Sequence, residues 1–115
     1  MRRWYIPDAY WPTGQDGTYV SHEAVCVLNP TQQEARLTMT LFFEDRDKLE
    51  GFAVHVGAER TVHVRMDRIE NNQHITVPRD TPYAIMLESE TEDLMVQYTR
   101  VDTTQSNLAI ATTVV

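Results

Sequence analysis

The sequence predicts an all-β fold, an antiparallel β-sandwich of seven or eight short strands in a single domain over residues 1–115. Three observations predict it. Apolar residues recur with a period of two in segment after segment, as on half-buried strands. Those segments follow one another at roughly ten-residue spacing, divided by turn-forming residues. No long helical pattern, heptad or internal repeat occurs. A chain of 115 residues can bury one core but not two.

The N-terminal stretch sets Trp4, Tyr5, Tyr10 and Trp11 among Pro7, Pro12, Gly14 and Gly17. A short strand is expected at residues 3–6, followed by a loop. The two tryptophans dock on the body of the protein or on a neighbouring subunit; a stacking platform for a ligand is the alternative. Residues 19–29 form the next strand. It is apolar on both faces from Ala24 to Leu28, the mark of a central strand or one covered from outside. Asn29, Pro30, Thr31 and Gln32 make a turn, with proline at its second position.

Residues 34–43 alternate most cleanly, with Ala35, Leu37, Met39, Leu41 and Phe43 inward and Arg36, Thr38 and Thr40 outward. The charged run at 44–50 reads as a solvated loop. Residues 52–56 and 61–66 are expected to pair as a hairpin about residues 57–60. An even register sets Val56 opposite Val62 and His55 opposite His63. Residues 67–82 are a polar connection with a short extended piece at 74–77. Residues 83–88, 94–101 and 107–115 supply the last strands.

Charge and cysteine usage narrow the function. Ten basic and seventeen acidic residues give 10 − 17 = −7, so broad nucleic-acid binding is not expected, because phosphate neutralisation supplies most of such affinity. The single Cys26 has no intrachain disulfide partner and reads as a buried, inert thiol. The N-terminus has two arginines but no apolar signal core, and no run is long enough to span a bilayer as a helix. A cytoplasmic location is expected. The sequon-like Asn29-Pro30-Thr31 carries the disqualifying proline.

Catalytic motifs are missing from the sequence. Ser21 and His22 are neighbours on a strand and point to opposite faces, so they cannot act as nucleophile and base. No phosphate loop, dinucleotide fingerprint, nucleophile elbow or zinc-protease motif occurs, and no cofactor is expected. A His55–His63 pair could supply only two metal ligands, an incomplete site. What stands out is residues 94–105, a strand that starts apolar at Leu94, Val96 and Tyr98 and ends in Arg100, Asp102, Thr103, Thr104 and Gln105. Arg100 continues the inward register and therefore needs a partner or a place at the rim, Asp102 or Glu23 being the candidates. With His22, Glu23, His63, Arg65, Gln97, Thr99 and Asp102 it forms either a structural ion-pair network or a recognition site, Arg60 preceding His63 and Arg65 on their strand.

The segments 21–29 (SHEAVCVLN), 41–47 (LFFEDRD), 60–65 (RTVHVR), 80–84 (DTPYA) and 96–105 (VQYTRVDTTQ), in this order, resemble the sensory rhodopsin transducer family. The resemblance implies a small cytoplasmic β-sandwich that assembles as a ring-like homotetramer and acts by binding a protein partner. A membrane sensor such as a microbial rhodopsin is the implied partner, and no catalytic role or metal is implied. Matching positions are His22, Glu23, Arg60, His63, Arg65, Gln97, Thr99, Arg100, Asp102 and Gln105, whereas His55 lies outside the pattern. The architecture also looks like carbohydrate-binding sandwiches. The alternative function is therefore a small-molecule module for a sugar or carboxylated metabolite, anchored by Arg65, Arg100, His22 and His63 with Trp4 or Trp11 stacking.

Overall fold

A computed structural model describes residues 1–14, 20–104 and 109–115, with the side chain of residue 109 excepted. Eight strands run in the order β1 (Arg2–Ala9), β2 (His22–Asn29), β3 (Ala35–Phe43), β4 (Leu49–Val56), β5 (Arg60–Arg65), β6 (Tyr83–Ser89), β7 (Met95–Asp102) and β8 (Ala109–Val114). They form two antiparallel four-stranded sheets, β1-β6-β3-β4 and β5-β2-β7-β8. The expected sandwich is present, and a single 3-10 turn at Met66–Arg68 is the sole helical element among the described residues.

Alternation dictates the packing. Leu37, Met39 and Leu41 from β3 and Ile85 and Leu87 from β6 meet Val25 and Val27 from β2 and Val96 from β7, all fully buried. Non-directional burial of this kind stabilises by about 25 cal/mol per Å² of apolar surface removed from water. The N-terminal tryptophans join the same core. Trp4 and Trp11 are buried, with the Arg79 guanidinium 3.9 Å from the Trp11 ring centroid, so neither is a stacking platform for a ligand. In β3 the alternation slips: Thr40 and Leu41 are both buried, because a register shift between Met39 and Leu41 interrupts the pairing with β4.

The expected hairpin between β4 and β5 does not form. β4 pairs with β3 (Arg36 opposite His55) and β5 pairs with β2 (Cys26 opposite His63), so the two histidines lie in different sheets. Residues 57–59 turn the chain from one sheet to the other. Buried Asn29 fixes that corner by donating from Nδ2 to the carbonyls of Gln33, Val56 and Gly57 at 2.7, 3.2 and 3.1 Å. Two strands facing one core from opposite sheets carry the same alternation as two strands side by side, so pattern alone does not distinguish them. A second exacting position is Gly51, at φ +92°, where a Cβ would lie 2.4 Å from the Asn72 side chain.

β2 is central, as its doubly apolar sequence implies, but its outer face is not fully covered by the described residues. Val25 and Val27 are buried, Ala24 and Cys26 are half-buried and Leu28 is exposed. Cys26 is therefore only partly shielded, and that burial pushes its thiol up. No helix of the described residues is long and apolar enough to cross a membrane.

Candidate functional site

The positions that the sequence singled out fall into two groups on opposite sides of the β5-β2-β7-β8 sheet. Glu23 and Arg100 are directly opposite one another on β2 and β7, on the face that packs against the other sheet. His22, His63, Arg65, Gln97 and Thr99 belong to the outward register, together with Ala24, Cys26, Leu28 and Met95. A single site anchored by Arg65, Arg100, His22 and His63 therefore does not exist. Arg60 is exposed at the start of β5, and Gln105 lies outside the described residues.

The inner group is built around Glu23, which is 1% exposed. Its Oε1 accepts from the Tyr83 hydroxyl at 2.7 Å, and its Oε2 accepts from the Tyr10 backbone N–H at 2.7 Å and from the Tyr98 hydroxyl. Arg100 Nε is 3.9 Å from the same Oε2. Tyr83 is on β6 and Tyr10 follows β1, so one carboxylate ties the two sheets together. Burial, and then the adjacent Glu23 carboxylate, push both phenols well above their ordinary range, so they stay protonated and donate.

Arg100 completes the cluster at its rim. Its Nε donates to Tyr98 Oη at 3.3 Å, and its Nη2 donates to the Asp8 carbonyl and to Asp8 Oδ1 at 3.2 and 3.3 Å. Of the two acidic partners named from sequence, Glu23 is the one beside it. Asp102 instead accepts from the Thr104 backbone N–H at 2.9 Å and its hydroxyl at 2.6 Å, bonds that hold its carboxyl below the usual range. Sequence reasoning missed Asp8, Tyr10 and Tyr83. Tyr98 carried a usable signal, since a tyrosine on the inward register two residues before an arginine needs a buried partner for its hydroxyl.

The outward group is a mixed surface. Leu28 pairs directly with Met95, and Gln97 stands between Cys26 and Val114 across three strands. Leu28, Met95 and Val114 are 45%, 55% and 64% exposed, an apolar patch at one end of the sheet's outer side, and Ile110, 63% exposed, stands opposite Val101 at the other end, beyond Thr112. Thr99 and Thr112 hydroxyls meet at 3.1 Å, and His22 Nδ1 is 2.9 Å from the Val20 carbonyl.

At the far edge, Arg65 makes a bidentate pair with Asp67, Nε to Oδ1 at 2.8 Å and Nη2 to Oδ2 at 2.7 Å. Burial by itself would raise the Asp67 carboxyl, but the Arg65 guanidinium outweighs it and the group lies below the ordinary range. A carboxyl lowered in the folded state stabilises fully above its unfolded value of about 4 and loses that contribution as pH falls through the folded value. Thermal unfolding of D67N beside the wild type should show a gap at neutral pH that closes below about pH 4. A gap that persists undiminished well below that pH would contradict the pairing.

The profile of the family described as ASRT, Anabaena sensory rhodopsin transducer, matches residues 1–115. Among solved structures, the fold is similar to "Crystal Structure of Thermotoga maritima 1070" at 31% identity and a TM-score of 0.85, over 98% of this chain and 90% of that one. It is also similar to the "Anabaena sensory rhodopsin transducer" at 30% identity and a TM-score of 0.72, over 84% of this chain and 90% of that one. No curated protein matches the sequence. A whole-length family match and two structural relatives sharing both sequence and sandwich place this chain in the Anabaena sensory rhodopsin transducer family.

Proposed function

We propose that the protein is a non-enzymatic cytoplasmic signalling component that works as a homo-oligomer, a tetramer, and acts by binding a protein partner. The carrying observation is the exposed apolar patch of Leu28, Met95 and Val114 on the outer side of the β5-β2-β7-β8 sheet. A central strand that is apolar on both faces is costly to leave wet on one of them, and association removes that surface from water. The polar side chains beside that patch on the same face, among them His63 and Gln97, supply hydrogen-bonding groups of the kind that give an interface its register.

Family membership supports a signalling and interaction role, and the name of the Anabaena relative points to a sensory rhodopsin as the partner type. The direct test is a binding titration of the purified protein against a detergent-solubilised microbial sensory rhodopsin, with empty micelles as the control. Saturable binding to the rhodopsin micelles, and none to the empty ones, is expected. No saturable binding to the rhodopsin would remove it as the partner.

A further inference from the structure

We propose that the lateral cleft between β1 and the β7–β8 pair binds a small free monocarboxylic acid with an apolar body, held by the Arg100 guanidinium. β1 and β8 are the edge strands of their sheets on one side of the sandwich, and the space between them is a cavity of about 300 Å³. Ile6, Pro7 and Ala111 supply apolar wall, and Tyr98, Arg100 and Asp8 supply the polar end. A cavity of that size is at the small end of ligand pockets and accepts a body of on the order of ten non-hydrogen atoms.

The polar end is already arranged for a carboxylate. Arg100 is oriented from behind by the Tyr98 hydroxyl and the buried Glu23, so its fork is fixed before anything binds. On the cleft side its Nη2 meets Asp8 Oδ1 at 3.3 Å, a long contact from a side chain that is 88% exposed. Asp8 reaches that position because β1 bulges. Ile6 pairs with Ile85 and Ala9 with Tyr83, leaving Pro7 and Asp8 opposite a single residue of β6. An exposed aspartate on a bulge is a weakly held occupant, and such pairs contribute little. An incoming carboxylate takes its place on Nη2 while the exposed Asp8 turns out into solvent, where water and salt screen it, and gains the burial of its apolar body that Asp8 lacks. Selection follows from both ends: the guanidinium requires the anion, and the walls around Ile6 and Ala111 require the apolar body.

The test is an NMR titration of isotope-labelled protein with benzoate, with benzyl alcohol and sodium chloride as controls. Benzoate should shift the amides of Ile6, Asp8, Arg100 and Ala111 saturably, and the controls should not. D8N removes the internal competitor and should tighten benzoate binding by about two- to fivefold. R100Q should weaken it by at least about tenfold. D8N changes an exposed side chain and acts in the opposite direction from R100Q, so loss of fold cannot imitate the pattern. No saturable shift in wild type and D8N, equal binding of the alcohol, shifts located elsewhere, or D8N binding no tighter than wild type would each overturn the proposal.

Discussion

Replacing Glu23 with alanine is expected to destabilise the fold by about 3–5 kcal/mol, the cost of removing one partner from a buried charged cluster. For a chain of this length that is a fall of roughly 10–20 °C in Tm. The size follows from what is left behind. The Tyr83 and Tyr98 hydroxyls and the Tyr10 N–H lose their acceptor, and Arg100 loses its buried counter-charge. Each group is too enclosed for bulk water to replace the carboxylate fully. E23Q keeps the shape and one acceptor, but its amide NH₂ must face a donor. It should therefore fall between, at about 1.5–3 kcal/mol. Denaturant unfolding of the two variants checks the order, and a loss below about 1 kcal/mol for E23A would show that the cluster does not brace the sandwich.

Introducing aspartate at both Leu28 and Met95 should reduce the proposed assembly to single chains without unfolding them. The two side chains are direct cross-strand neighbours on the outer face, and both are exposed in the isolated chain. Within one chain the change sets two like charges opposite one another on neighbouring strands and costs on the order of 1–2 kcal/mol, which leaves the fold intact. Within an assembly that covers this face it buries two unpaired carboxylates at every copy of the interface, each costing several kcal/mol. Light scattering and circular dichroism on the same sample separate the effects. The expected outcome is a single-chain mass with an unchanged β spectrum. An unchanged assembly mass would move the interface elsewhere.

Much of this was legible in the sequence because two-residue alternation reports which way a strand faces. The inward rows of β3 and β7 and the central position of β2 could be read directly. The partner of a strand is not encoded in that pattern, which is why β4 and β5 read as a hairpin and instead stand in separate sheets. Arg100 could be recognised as an inward arginine in need of a counter-charge, and Glu23 named beside it. Tyr83 could not be placed there, since it is 60 residues from Glu23 and reaches it from the opposite sheet. Asp8 was hidden for another reason: a bulge, invisible to alternation, turns it towards Arg100. Of the polar residues of β5 and β7, His63, Arg65, Gln97 and Thr99 share the outer side, and Arg100, on the inward register that alternation already gave it, stands apart from them.

Everything proposed about signalling rests on the uncovered side of the second sheet being hidden by other copies of the same chain. Sedimentation equilibrium of the unmodified protein at micromolar concentration measures that directly. The account predicts a mass four times that of one chain, stable to dilution across the micromolar range. A single-chain mass throughout that range, with Leu28 and Met95 left in water, would contradict it.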